Sequence, residues 1–198
     1  MRRAVCASLA AAAVLIGCAS DPPPRRSDAA RLMGELMSGR HPVGGPFTLS
    51  DPAGRRVALA DLRGKLLLVY FGFAACPDVC PTDLALIAQA LREIGPSANE
   101  VQPVFITLDP ERDTPQVLRE YAAAFHPRLL PLTGTPGEIR RVATAYKVFF
   151  EKVALPRGGY TIDHTAYTFL LDRAGEFVIL FPPGTSAERI AFMLREQL

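Results

Sequence analysis

Two cysteines, Cys76 and Cys80, are separated by three residues and follow a long apolar segment, 66–73. Thiolates are soft metal ligands and also the reactive form of cysteine in disulfide exchange, so this pair suits either chemistry. Pro77 and Pro81 each follow one of the cysteines and restrict the backbone there. That restriction favours a shaped functional loop over two small buried hydrophobic residues. The pair alone predicts a dithiol site and leaves metal binding and redox chemistry open.

The elements around the pair are predicted from the spacing of apolar residues. A hairpin, 47–49 with 57–59, surrounds the turn sequence Asp51-Pro52-Ala53-Gly54. The remaining predictions are strands 66–73 and 101–108, helices 83–94, 114–125 and 136–149, strands 166–171 and 176–180, and helix 186–198. Strands that alternate with helices predict an α/β fold with a parallel central sheet, to which the last hairpin adds an antiparallel edge. We expect a thioredoxin-like domain with an N-terminal β-hairpin and an insert before the final β-hairpin.

The cysteine pair follows a strand and precedes a helix, at the carboxyl end of the sheet where α/β folds place their sites. The i, i+4 spacing puts both thiols on one helical face if the helix has already begun. Free amides at a helix N-terminus lower the pKa of nearby thiols. We therefore expect Cys76 and Cys80 to be activated thiols.

One of the three histidines fits this site. His41 and His126 are predicted to be surface residues, whereas His164 lies in the segment 160–165, directly before the strand 166–171. In a thioredoxin-like fold this loop faces the cysteines, and oxidoreductases of the fold carry a cis-proline there. No proline lies between residues 157 and 181, and an imidazole takes that place. Two thiolates and one imidazole suit Cu(I), and Cu(II) with a fourth ligand; zinc remains open, although structural zinc has four ligands.

Three segments together resemble the Sco/SenC family of copper chaperones for cytochrome c oxidase assembly. They are 71–82 (FGFAACPDVCPT), 109–115 (DPERDTP) and 163–165 (DHT), and the resemblance covers residues 44–198. It implies that Cys76, Cys80 and His164 bind copper, Cu(I) and Cu(II), for delivery to the Cu(A) centre of oxidase subunit II. Thr165 stands where the family more often has Ser, which keeps a hydroxyl group at this position.

Other residues near these motifs each have two interpretations. Asp78 is a carboxylate beside the metal or a residue that shapes the loop, and Asp163 orients His164 or caps a turn. Segment 111–113 is a docking surface for a partner or a solvated turn before a helix. We also expect a reversible disulfide between Cys76 and Cys80, because the spacing lets the sulfur atoms approach.

The N-terminus predicts a lipoprotein signal peptide, 1–17. Two arginines precede an apolar run over residues 4–17, which is shorter than the roughly 20 residues that a spanning helix needs. Leu15-Ile16-Gly17-Cys18 resembles a bacterial lipobox, so we expect Cys18 to be lipidated; an ordinary secretory peptide cut nearby is the alternative. A flexible tether, 18–43, with a short helix at 29–37, would precede the copper-binding domain, 44–198. Cys6 would be removed, leaving Cys76 and Cys80 as the free thiols.

Charge limits the partners of this chain. The 198 residues carry 22 basic and 20 acidic side chains, a net charge of +2, without a concentrated cationic face, which argues against nucleic acid. Removal of residues 1–17 takes away two arginines and leaves a neutral chain, so acyl chains would have to provide the membrane anchor. We expect a protein at the extracytoplasmic (periplasmic) face of a bacterial membrane. Its expected partners are oxidase subunit II and other periplasmic copper chaperones or thioredoxin-like reductases.

Two further functions use the same cysteines. A thiol–disulfide reductase would keep cysteines of the oxidase, or of other targets, reduced; it needs Cys76 and Cys80 but not His164. Reduction and copper loading are compatible as consecutive steps. A peroxidase of the peroxiredoxin type is disfavoured, because Phe73 stands three positions before Cys76, where a hydroxyl residue is expected.

Overall fold

The structure, a computed structural model, describes residues 42–198. The predicted signal peptide, Cys18, the predicted helix at 29–37 and His41 lie outside the described residues. Val43 is buried and the Gly44 amide donates to the carbonyl of Ala145 at 3.0 Å, so both residues belong to the folded part. In this part of the chain, no helix has the length and apolar character needed to span a membrane.

Nine strands and four α-helices make up the described residues. The strands are β1 (Thr48–Ser50), β2 (Arg56–Ala58), β3 (Leu66–Gly72), β4 (Val101–Thr107), β5 (Leu130–Leu132), β6 (Phe150–Ala154), β7 (Tyr160–His164), β8 (Thr168–Leu171) and β9 (Phe177–Phe181). The helices are α1 (Val79–Glu93), α2 (Pro115–Phe125), α3 (Pro136–Ala145) and α4 (Ala187–Arg195). Short 3-10 turns cover Leu59–Leu62 and Gly95–Glu100.

The central sheet has the strand order β5-β4-β3-β8-β9. The strands β3, β4 and β5 are parallel, and β8 and β9 join them as an antiparallel hairpin. All seven residues of β3 are buried, which explains why its sequence is a continuous apolar run. The predicted α/β, thioredoxin-like fold with an antiparallel edge is confirmed.

Capping residues set the start of three helices. The hydroxyl groups of Thr114, Thr135 and Ser186 accept hydrogen bonds from the third backbone amide of α2, α3 and α4, respectively. In α2 and α3 a proline occupies the first helical position, where its missing N–H costs nothing. The helices α1 and α4 pack against each other.

Several predicted boundaries and one predicted loop differ from the structure, and the largest boundary shifts are four residues. Helix α1 begins at Val79, four residues earlier than expected, and α3 ends at Ala145 rather than 149. The segment expected to be a loop at 160–165 is largely strand β7, which pairs with β6 in a separate two-stranded sheet. This hairpin is the insert before the final hairpin. Its strands are half-buried or exposed at every position except Ile162 and are largely polar, so they lack the apolar periodicity that predicted the other strands.

Candidate metal centre

The side chains of Cys76, Cys80 and His164 converge at the carboxyl end of β3. One sulfur or nitrogen atom from each residue lies within 4.8 Å of the other two. The Cys80 Sγ is 3.4 Å from the Nε2 atom of His164. Cys80 is fully buried, whereas Cys76 and His164 are partly exposed, so the cluster has one face open to solvent.

The cysteines belong to two different local structures. Cys76 lies in the loop between β3 and α1, where its amide donates to the carbonyl of Phe73 at 3.2 Å. Cys80 is the second residue of α1. The condition for placing both thiols on one helical face is therefore not met, because the helix begins after Cys76. The tight turn at Phe73, rather than helical periodicity, brings the two sulfur atoms together.

Gly72, the last residue of β3, makes room for the buried thiol. A Cβ atom at this position would lie 2.8 Å from Cys80 Sγ, 3.0 Å from the Tyr70 ring and 3.2 Å from the Phe105 ring. Real Cβ atoms essentially never come as close as 2.8 Å, so any side chain at this position would require Cys80 or the strand to shift. The role of Gly72 in the site is not visible in the sequence, since it depends on a contact with another element.

His164 is oriented by a backbone carbonyl. Its Nδ1 atom is 3.1 Å from the carbonyl oxygen of Thr165, and this oxygen can only accept, so Nδ1 carries the proton. In the neutral ring Nε2 then keeps its lone pair and faces Cys80. The edge of the ring packs against Phe73, with ring centroids 5.8 Å apart at 80°.

The two aspartates predicted near the metal are both exposed. Within residues 42–198 no hydrogen bond links Asp163 to His164, because neighbouring residues of a strand point to opposite faces. The carbonyl group of Asp78 accepts from the amide and the hydroxyl of Thr82, at 3.4 and 3.0 Å, at the start of α1. This backbone contact shapes the loop, and a role for either carboxylate beside a metal stays a prediction.

The two thiols influence each other's ionisation. The neighbouring Cys80 and, to a smaller extent, His164 lower the pKa of the Cys76 thiol, although burial acts in the opposite direction. The neighbouring Cys76 and burial both raise the pKa of Cys80. The two thiols therefore titrate as a coupled pair, in which the first proton is lost more readily from Cys76 and the buried Cys80 resists losing the second. The prediction of lowered pKa values is wrong for Cys80.

The loop after β4, residues 109–113, supports the site by contacting the loop that carries Cys76. Asp113 is buried and its Oδ2 atom accepts from the Ala74 amide at 3.1 Å and from the Thr107 hydroxyl at 2.6 Å. It thereby fixes the loop that carries Cys76. Burial raises the pKa of Asp113, against the effect of these hydrogen bonds. Of the predicted solvated turn at 111–113, Glu111 is exposed and Arg112 partly exposed, whereas Asp113 is buried; a docking role for this segment stays a prediction.

His126 lies apart from this cluster, after the end of α2. Its Nδ1 atom accepts from the Arg128 amide at 3.1 Å. Among the described residues, Cys76, Cys80 and His164 are the one group of three or more candidate metal ligands that converge. Two sulfur atoms and an imidazole nitrogen form a set that suits a soft metal ion, while the thiols alone suit disulfide exchange.

Comparison with known proteins gives consistent matches over this domain. The SCO1/SenC family model matches residues 36–198. The SCO2-like protein RP587 of Rickettsia prowazekii is 40% identical over 157 residues, which cover 78% of this chain and 77% of that protein. The structure of Bradyrhizobium japonicum ScoI with copper bound is 45% identical, with a TM-score of 0.73, and the match covers 79% of this chain and 99% of that chain. Arabidopsis thaliana ScoI with copper bound is 38% identical, also with a TM-score of 0.73, over 78% of this chain and 97% of that chain.

Proposed function

Because the chain belongs to the SCO1/SenC family, we propose that it is a copper chaperone that carries copper on Cys76, Cys80 and His164. The observation that carries this proposal is the convergence of their three ligand atoms within 4.8 Å. Sco-family proteins take part in cytochrome oxidase assembly. The proposed recipient is the Cu(A) site of oxidase subunit II, as the resemblance of the three sequence motifs implies.

The donor set fits copper in both oxidation states. Two thiolates and one imidazole provide a three-coordinate soft site for Cu(I), and a fourth ligand would complete a site for Cu(II). The Nε2 lone pair of His164 is available because Nδ1 donates to the Thr165 carbonyl. A metal also neutralises the negative charge of a buried Cys80 thiolate, which burial otherwise disfavours.

Copper is a cargo here, so the site must release it as well as hold it. Cys76 and His164 are partly exposed, and ligands from a partner can approach the metal from that side. Transfer would proceed by exchange of one ligand at a time, with Cys80 the last to release because it is fully buried. Other periplasmic copper chaperones or thioredoxin-like reductases are the proposed further partners.

The proposed location is the periplasmic face of a bacterial membrane. The support is the sequence Leu15-Ile16-Gly17-Cys18 at the end of a short apolar run. Cleavage of residues 1–17 and lipidation of Cys18 would anchor the chain, and the residues between Cys18 and the buried Val43 would serve as a tether for the folded domain. These assignments rest on the sequence pattern alone.

The test is a Cu(I) titration of the full chain, purified in detergent, against a competing chelator. We expect one Cu(I) per chain, and a loss of affinity of at least about 100-fold in His164→Ala, since even a change beside a metal ligand costs about 10–100-fold. His126→Ala is the matched control, because this partly buried histidine lies outside the site. Equal affinity of wild type and His164→Ala would contradict the proposed ligand set.

A second candidate function is thiol–disulfide reduction. The observation that favours it is the lowered pKa of the half-buried Cys76 beside the protonated Cys80. The Cys76 thiolate would attack a target disulfide and release one target thiolate. Cys80, after losing its proton, would attack the mixed disulfide and release the second. The target ends reduced, and the chaperone ends with a Cys76–Cys80 disulfide.

Oxidase assembly in cells that carry either His164→Ala or Cys76→Ser distinguishes these functions. A copper chaperone requires His164, so His164→Ala should abolish oxidase assembly at limiting copper while the purified variant still reduces a disulfide substrate. If His164→Ala supports normal assembly and Cys76→Ser does not, reduction is the essential task and the copper proposal is wrong.

A further inference from the structure

His164 is carried by a hairpin that is separate from the sheet beside the cysteines. Within residues 42–198, β6 and β7 pair as strands only with each other. Cys76 and Cys80, in contrast, follow the central strand β3. An isolated two-stranded hairpin is at best marginally stable in water. The position of His164 relative to the two thiols therefore depends on the contacts that hold this hairpin to the rest of the domain.

Apolar packing supplies one of these contacts. Ile162, in the middle of β7, is 4% exposed and anchors the hairpin to the core. Hydrophobic contact is non-directional, so this buried side chain alone does not set the orientation of the hairpin. A directional contact at another point of the hairpin is needed to fix the orientation of the unit that carries His164.

Arg112 provides that directional contact. Its Nη1 atom donates to the carbonyl of Tyr160, the first residue of β7, at 2.8 Å, and its Nε atom pairs with the buried carboxylate of Asp109. The Tyr160 hydroxyl donates to the other Asp109 oxygen at 2.8 Å. The guanidinium carbon also lies 3.8 Å from the centroid of the Tyr160 ring. Arg112, Asp109 and Tyr160 thus form a closed cluster between the 109–113 loop and the hairpin.

The same guanidinium approaches the site itself. Its carbon lies 5.8 Å from the centroid of the Phe73 ring, and Phe73 packs edge-on against His164. One residue further along the loop, Asp113 holds the amide of Ala74 in the cysteine loop. The 109–113 loop therefore contacts both parts of the protein that supply the proposed ligands. Within it, Arg112 is the residue that contacts the hairpin backbone, the Tyr160 ring and the Phe73 ring together.

We propose that Arg112 is a positioning residue that fixes the β6–β7 hairpin and thereby preorganises His164 opposite Cys76 and Cys80. The inference rests on the proposed copper site and adds to it a residue that touches none of the three ligands through hydrogen bonds. Arginine suits the role because its planar, five-donor head bonds a carboxylate and a carbonyl while stacking on an aromatic ring. An exposed pair between Lys152 and Glu111, at 2.7 Å, joins the same elements but contributes little in solvent.

The test compares Arg112→Met with Lys152→Met in the full chain. Arg112→Met keeps an unbranched apolar stem but removes the guanidinium group, with its hydrogen bonds and charge. Lys152→Met removes the exposed ion pair of the same hairpin in the same way. We expect Cu(I) affinity to fall about 10–100-fold in Arg112→Met, as for other groups that orient a metal-binding histidine, and to change less than about twofold in Lys152→Met. Without copper, amide hydrogen exchange at residues 161–164 should be faster in Arg112→Met.

A double-mutant cycle separates positioning of His164 from general loss of stability. If Arg112 acts through His164, Arg112→Met has no further effect on Cu(I) affinity in the His164→Ala background. An equal loss in both backgrounds, or wild-type affinity in Arg112→Met, overturns the inference. If Arg112→Met does not fold, Arg112→Lys takes its place in the same cycle. This variant keeps the charge but lacks the planar guanidinium group that bonds both Asp109 and the Tyr160 carbonyl. A wild-type chain that binds no copper overturns the proposed function, while hydrogen exchange of the metal-free protein still tests Arg112.

Discussion

Ligand atoms at this site are positioned by neighbours that are not themselves ligands. The Thr165 carbonyl selects the tautomer of His164, and Phe73 restrains the plane of its ring. Asp113 holds the loop before Cys76. Such contacts fix the ligands before a metal arrives, which reduces the ordering that binding must impose.

At Gly72 the site tolerates no side chain. In Gly72→Ala, the new Cβ would lie 2.8 Å from Cys80 Sγ, so the sulfur or the strand must move. We expect unfolding free energy to fall by about 1–3 kcal/mol, a typical cost of overpacking, and Cu(I) affinity to fall with it. Chemical denaturation and Cu(I) competition measure the two effects. Gly137→Ala is the control, because its nearest neighbour, the far end of Arg141, is 3.7 Å away. Unchanged copper binding in Gly72→Ala would show that Cys80 does not depend on this gap.

Oxidation of the two cysteines should exclude copper. A Cys76–Cys80 disulfide removes both thiolates, so the chain should lose Cu(I) binding when oxidised and regain it after reduction. Mass spectrometry of alkylated protein follows the thiols, and a chelator competition follows the copper. The Cys76→Ser variant, which cannot form this bond, should respond to neither treatment. Copper binding by fully oxidised wild type would contradict the prediction.

Among the elements, α3 shows how a cap connects the sequence with stability. Thr135 and Glu138 form a capping box: the Thr135 amide donates to Glu138 Oε2 at 2.7 Å, and the Glu138 amide donates to the Thr135 hydroxyl at 3.2 Å. Arg56 of β2 pairs with the same carboxylate at 2.7 Å. These contacts tie the N-terminal hairpin to α3.

The capping box predicts a pH-dependent contribution to stability. The Thr135 amide and then Arg56 lower the pKa of Glu138 to about 2 from 4.5. A lowered folded-state pKa means that the contribution is complete above pH 4.5 and is lost as pH falls towards 2. We expect Glu138→Gln to be less stable than wild type at pH 7, by less than about 1 kcal/mol because the group is solvent-screened, and equally stable near pH 2. Chemical denaturation at both pH values measures this difference.

Glu120→Gln, on the exposed surface of α2, is the control for that comparison. It removes one carboxylate from a helix without disturbing a cap, so it should change stability little at either pH. A Glu138→Gln deficit that persists undiminished at pH 2 would count against the ionised cap.

For the whole molecule, charge and anchoring belong together. The predicted mature chain, 18–198, has equal numbers of acidic and basic residues. Attraction to anionic lipids is then weak, and membrane attachment would depend on acyl chains.

We therefore predict that Cys18 is the lipidated mature N-terminus. Mass spectrometry of the full-length protein, expressed in a bacterial host, should find residues 1–17 absent and acyl mass on Cys18. Cys18→Ser should remain unprocessed and lose the acyl mass. An intact N-terminus, or cleavage elsewhere with unmodified Cys18, would contradict the lipobox assignment.

Features that depend on neighbouring residues in the chain were predictable from the sequence. The uninterrupted apolar run identified β3 as a strand buried on both faces, and Thr114-Pro115 marked the start of α2. Their order gave the thioredoxin-like fold, and the spacing of Cys76 and Cys80 indicated a dithiol site. His164 could be grouped with them because its place in that order lies opposite the cysteines.

Features that depend on distant contacts required the tertiary structure. The polar β6–β7 hairpin has no strong periodicity of its own, and it is held by Ile162 in the core and by Arg112 on the 109–113 loop. Gly72 is essential only because Cys80 folds back to 2.8 Å from where its Cβ would be. The sequence by itself determined which residue types carry the chemistry. Their distances, the coupled titration of the thiols and the orientation of His164 were decided by packing between elements far apart in the chain.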